Sequence, residues 1–176
     1  MNLKNSRITL NFVVIAALLV LLTASGAWAG KTQIPQGQKV KVRFNQNMVI
    51  SSGKLMKGLP LLIELAEPIV IGGKTIVEAG AEGKAEVVDV REASKPGKPG
   101  YLKIAFTELS PKGEYKSKDG AKIIIKGEQE ATGKPKKLMS WLFCLGLFIS
   151  GTEATLDVNK TYEAEVVEAI ILQSEE

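Results

Sequence analysis

Residues 67–91 read EPIVIGGKTIVEAGAEGKAEVVDVR, and this stretch decides the fold. Pro68 to Ile71 is apolar and β-branched, and Gly72-Gly73 then supplies the positive φ angles that a two-residue hairpin turn requires. Lys74 to Glu78 returns through Ile76 and Val77, Ala79-Gly80-Ala81 turns again, and Gly83 to Arg91 leaves as a third strand. Glycine recurs too often for a helix, and valine and isoleucine lose χ1 freedom in one. The expectation is strand, turn, strand, turn, strand.

Outward from that centre the same pattern continues. Gln33 to Phe44 opens with Ile34-Pro35-Gln36-Gly37 and then alternates Val40, Val42 and Phe44 with Lys39, Lys41 and Arg43, as a half-buried strand does. Leu61 to Leu65 is a second strand, and Tyr101 to Phe106 alternates in the same way. Lys118-Asp119-Gly120 signals a turn into Lys122 to Lys126. Glu92 to Gly100 and Gln129 to Lys137 read as exposed, proline-containing loops. Thr152 to Val158 and Thr161 to Leu172 are expected to form a last hairpin around Asn159-Lys160. The fold expected is all-β, a single small barrel or sandwich of glycine-turn hairpins, with one short apolar helix or strand near residues 138–149. Three places also share a local plan, in which a Gly or Asn turn precedes a strand: 34–42, 77–88 and 156–167. Ala-Glu-Val-Val recurs in the last two, as an internal duplication would leave it; reuse of a common turn is the plainer explanation.

At the amino terminus, Lys4 and Arg7 precede an apolar run from Phe12 to Leu22, and Ala27-Trp28-Ala29 fits the small-x-small rule of signal peptidase. The organisation expected is a signal peptide over 1–29 and one β-rich domain over 30–176. Loss of the leader takes away Lys4 and Arg7 and lowers the formal charge from +4 to +2. A mild, mostly lysine excess is a solubility feature, and nucleic acid is not an expected partner. The 147 residues that remain of 176 suit one domain burying about 70% of its unfolded surface. Cys144 is the only cysteine, so no disulfide can form within the chain.

Chemistry is sparse. The chain has no histidine, which removes the usual general base and the commonest metal ligand. No phosphate-binding glycine loop or nucleophile elbow is present, and Ser51-Ser52 lies beside no visible base. Glu86 and Glu165 would be the pair for glycoside hydrolysis, although both read as charges on solvated strand faces. No catalytic residue, cofactor or metal is expected.

One segment stands apart. Residues 138–149 read LMSWLFCLGLFI, apolar but for Ser140 and Gly146, after Lys134-Pro135-Lys136-Lys137. Twelve residues are too few to span a bilayer as a helix. In one reading the segment plugs one end of the β-structure. In the other it is a contact for a membrane or partner, made by Lys136, Lys137, Leu138, Trp141, Leu142, Phe143, Leu147 and Phe148, with lysines at anionic head groups and Trp141 at the boundary.

The string from Ile71 to Ala81, Ile-Gly-Gly-Lys-Thr-Ile-Val-Glu-Ala-Gly-Ala, resembles the "G-x-h-h-P-x-G" hairpin of uncharacterised exported bacterial all-β proteins, with Glu78 where proline is usual. The Asp119-Gly120 turn and the later Gly151-Thr152-Glu153-Ala154 extend the likeness. A more distant likeness is to the periplasmic β-domain of type IV secretion scaffold proteins, which carry a similar "IP-x-G" turn. The resemblance implies fold and location and transfers no catalytic residue. Together these readings describe a non-enzymatic envelope protein, periplasmic or associated with the outer membrane, acting by binding or assembly. Its partners would be another envelope protein, a membrane surface or a second copy. The alternatives are a soluble periplasmic ligand-binding barrel and a carbohydrate-active enzyme with paired glutamates.

Overall fold

The computed structural model describes residues 30–95, 97–117, 119–135 and 150–174. They form eleven strands in chain order: β1 (Lys31–Ile34), β2 (Lys39–Phe44), β3 (Pro60–Leu65), β4 (Ile69–Ile71), β5 (Lys74–Val77), β6 (Glu82–Arg91), β7 (Tyr101–Leu109), β8 (Tyr115–Lys116), β9 (Ile123–Thr132), β10 (Tyr162–Val166) and β11 (Ile170–Ser174). The fold is all-β, and six strands close an antiparallel barrel in the order β10–β2–β3–β6–β7–β9. The helix or strand expected near 138–149 lies outside the described residues.

Period-two alternation sends one face of each barrel strand inward. Val40, Val42 and Phe44 of β2, Leu61, Ile63 and Leu65 of β3, and Ala85 and Val87 of β6 are all buried. A barrel of six strands is narrower than the eight-stranded kind that side chains alone can fill, so its interior is a core. Phe44 anchors that core, with ring centroids 5.9 Å from Phe106 and 5.4 Å from Tyr162. Outside, Lys103 of β7 reaches both Glu128 and Glu130 of β9, at 2.7 and 3.1 Å.

The two ends differ. At one, the sheet β1–β11–β8 and the ribbon β4–β5 add Ile34, Leu172, Tyr115, Ile69, Ile76 and Val77 to the buried core. We call this the capped end. At the other, which we call the loop end, residues 45–59, 92–100 and 133–161 join the strands.

The central stretch forms its three strands, and Gly72 and Gly73 take φ of 58° and 79° as the tight turn requires. The three do not continue as one meander. Gly80 N donates to Leu65 O and Leu65 N to Ala81 O, both at 2.8 Å, so the end of β3 captures the chain and β6 pairs with β3 and β7. The other expectations meet a mixed outcome. The turn read at 34–37 is present, with Gly37 at φ 81°, and the residues before it form a separate strand, β1, in another sheet. The loop expected from Gln129 begins only after Thr132, because β7 offers β9 a full-length partner. Residues 152–158 form no strand. They run beside 50–52 and share one isolated bridge, Ser51 with Thr155. The turn at Asn159 is of another kind: its amide closes an Asx turn on Asp157 Oδ1 at 3.0 Å. The repeated Ala-Glu-Val-Val falls in β6 and at the end of β10 in the same phase, with Ala85, Val87, Ala164 and Val166 all facing inward.

Candidate functional site at the loop end of the barrel

The site residues expected from sequence, Lys136, Lys137, Leu138, Trp141, Leu142, Phe143, Leu147 and Phe148, lie outside the described residues. What the structure gives is the place where their segment leaves and returns. The chain departs after Thr132 of β9 and comes back at Ser150. Thr152 N donates to Lys134 O at 3.1 Å, and Lys134 N donates to Thr152 Oγ1. The outgoing and incoming stems are therefore bonded to each other. Gly133 N donates to Gly100 O at 2.9 Å, and Gly100 N donates to Thr152 O at 3.0 Å, which ties both stems to the start of β7. The stems pack so closely that a β-carbon at Gly133 would overlap the Thr152 carbonyl, and one at Gly151 the Lys98 carbonyl. Glycine is required at both for close approach of backbone, in addition to any turn role.

Glu153 fastens this neck to the barrel. Its carboxylate accepts from Ala93 N at 3.1 and 3.2 Å and from Ser52 Oγ. Ser52 Oγ in turn accepts from Ala154 N at 2.9 Å, while Ser52 N donates to Ala154 O at 2.9 Å. One half-buried carboxylate thus joins all three connections of this end: 45–59, 92–100 and 133–161. The sequence reading left Ser52 without a partner, and here it has one. A serine bonded to a carboxylate is the first half of a nucleophile pair. Ser52 is nonetheless fully buried and its hydroxyl is engaged on both sides, so the pair is positioned to hold the loops.

Glu86 and Glu165 are not brought together. Glu86 is on β6 and Glu165 on β10, both exposed, and these strands are three places apart in either direction round a ring of six. The two carboxylates face solvent on opposite sides of the barrel, which does not fit the ~5–10 Å separation of a glycosidase pair. Among the described residues no group of three His, Cys, Asp or Glu side chains is placed to hold a metal ion. Among the same residues, no helix is long and apolar enough to cross a membrane.

Beside the neck lies a cleft of about 630 Å³ lined by Arg91, Glu92, Ser94, Lys98, Pro99, Tyr101 and Thr132. The Arg91 guanidinium stands 4.6 Å over the Tyr101 ring. Ser94 and Lys98 exchange backbone bonds at 2.9 and 3.0 Å, so the loop expected to stay out of any ladder is closed by one isolated bridge. The 45–59 connection also exposes apolar side chains, Val49 at 59% and Met56 at 71%.

Sequence reasoning missed Glu153, Ser52, Gly100 and Thr152. The signal available was local: two glycines, Gly133 and Gly151, bracket the apolar run and its lysines at nearly equal distance, as the ends of an excursion from a compact domain would be marked. Compared with protein-family models, curated proteins and solved structures, the chain matches none.

Proposed function

We propose that the protein is a non-enzymatic component of the cell envelope, exported by its leader, and that it acts by binding or assembly. The barrel is the scaffold, and the apolar segment 138–149 is its contact with a membrane or an envelope partner. The observation that carries this reading is the neck: the stems of the segment are bonded to each other at Lys134 and Thr152 and anchored through Glu153. Two facts support it. The buried core of the described residues is built mainly from the barrel strands and the layer over the capped end, with Ile50, Leu55 and Ala154 added from the loop end. A run as apolar as LMSWLFCLGLFI, if exposed, makes a patch large enough to need a partner.

Fractionation of cells producing the wild type and Trp141→Asp tests it. The wild type is expected in the envelope fraction with Gly30 as its first residue, and the variant in the soluble periplasmic fraction. An unprocessed chain, or the same distribution for both proteins, would contradict the proposal.

A further inference from the structure

We infer that the loop end of the barrel is a docking surface for a bilayer rich in anionic phospholipid, with the ring of loops round the neck set against the head groups. This rests on the reading above and names the partner of the same site. The loops of this end carry the exposed lysines Lys54, Lys57, Lys95, Lys98, Lys134 and Lys160 among the described residues. Against them stand Glu92, Asp157 and Glu153, the last already engaged by Ser52 and Ala93. The connections at the capped end lean the other way, with Lys112 and Lys122 against Glu67, Glu78, Glu114, Asp119 and Glu168 among the described residues. The excess positive charge is therefore directional: among the described residues it lies at the end from which the apolar segment leaves.

Apolar contacts accompany the charge. Met56 lies between Lys54 and Lys57 in sequence and is 71% exposed, and Val49 is 59% exposed in the same connection. Gly53 packs on Glu153, which places this connection against the neck. Lysines with apolar side chains among them suit an interface where ammonium groups meet phosphate and methyl-bearing groups enter below. A protein groove would call for fewer lysines, since interface cores are depleted in them. Each lysine near an anionic surface strengthens partition by about fivefold at moderate salt.

The test uses the chain from Gly30 onward, which contains every strand of the barrel, with vesicles of phosphatidylcholine alone or with about a third phosphatidylglycerol. The expected result is flotation with the anionic vesicles, weakened by high salt. Lys54→Glu/Lys57→Glu/Lys98→Glu should reduce partition at least tenfold, while Lys31→Glu/Lys74→Glu/Lys112→Glu at other sites should leave it unchanged. Equal losses from the two triple variants would mean that only net charge matters and would overturn the inference. No preference for anionic vesicles would do the same. If Trp141→Asp abolishes flotation while the loop-end triple has no effect, the segment still acts as the contact and the lysine ring does not. A dimer broken by Met56→Glu, with vesicle binding intact, would assign the surface to a second copy and also overturn it.

Discussion

At the scale of single residues, the loop end depends on one carboxylate. Glu153 accepts from Ser52 Oγ and from the Ala93 amide, and Ser52 has no solvent to turn to. Glu153→Ala would orphan both donors at a cost of about 1–3 kcal/mol. For a domain of this size that lowers Tm by roughly 3–10 °C. Glu153→Gln, which keeps an acceptor oxygen, should lose less. Calorimetry giving an unchanged Tm for Glu153→Ala would show that the carboxylate does not hold the neck. None of this was legible in the sequence. Ser52 and Glu153 are separated by 101 residues and no periodicity links them. The lone reading open to Ser51-Ser52 was a nucleophile without a base.

At the scale of elements, alternation revealed the strands and left their partners undetermined. Val40, Val42 and Phe44 mark β2 plainly. Whether β1 continues β2 or leaves for another sheet depends on Ile170 to Gln173, far along the chain. The stretch 152–158 has strand-like residues and forms no strand, because its neighbour is the irregular run 50–52, with one bridge between them. Outward-facing charges then tie the chosen neighbours. Glu108 of β7 takes Lys122, which precedes β9, at 2.6 Å and Lys84 of β6 at 3.1 Å. The hydrogen bond from Lys122, with lesser help from Lys84, holds its carboxyl below the ordinary range. A depressed carboxyl stabilises the fold above its unfolded value, and that contribution fades as pH falls through the folded one. Glu108→Gln should therefore be slightly less stable than wild type at neutral pH, by at most ~1 kcal/mol for so exposed a triad. The gap should begin to narrow as pH falls below the ordinary glutamate value of about 4.3 and close once it is below the lowered folded value. Urea titrations of both proteins across pH check this, and a gap that widens in acid would contradict it.

At the scale of the whole molecule, the barrel has an inside built largely by its own strands and two ends of different character. The closed barrel was within reach of the sequence, since glycine turns spaced by short alternating runs leave few other all-β solutions. The polarity of the ends was not, because it arises only when connections distant in sequence gather Lys54, Lys57, Lys98 and Lys134 round one neck. Among the described residues the capped end covers the core with a second layer of strands, and the three long connections gather at the other end.

The most direct measurement replaces residues 136–149 with a short glycine-serine linker, which the bonded stems at Lys134 and Thr152 leave room to close, and follows thermal unfolding together with envelope association. The account predicts an unchanged β-sheet circular dichroism spectrum, a cooperative transition within a few degrees of wild type, and loss of association. A chain that no longer folds would place the apolar run in the core, and a folded chain that still associates would remove it from the contact; either result contradicts the account.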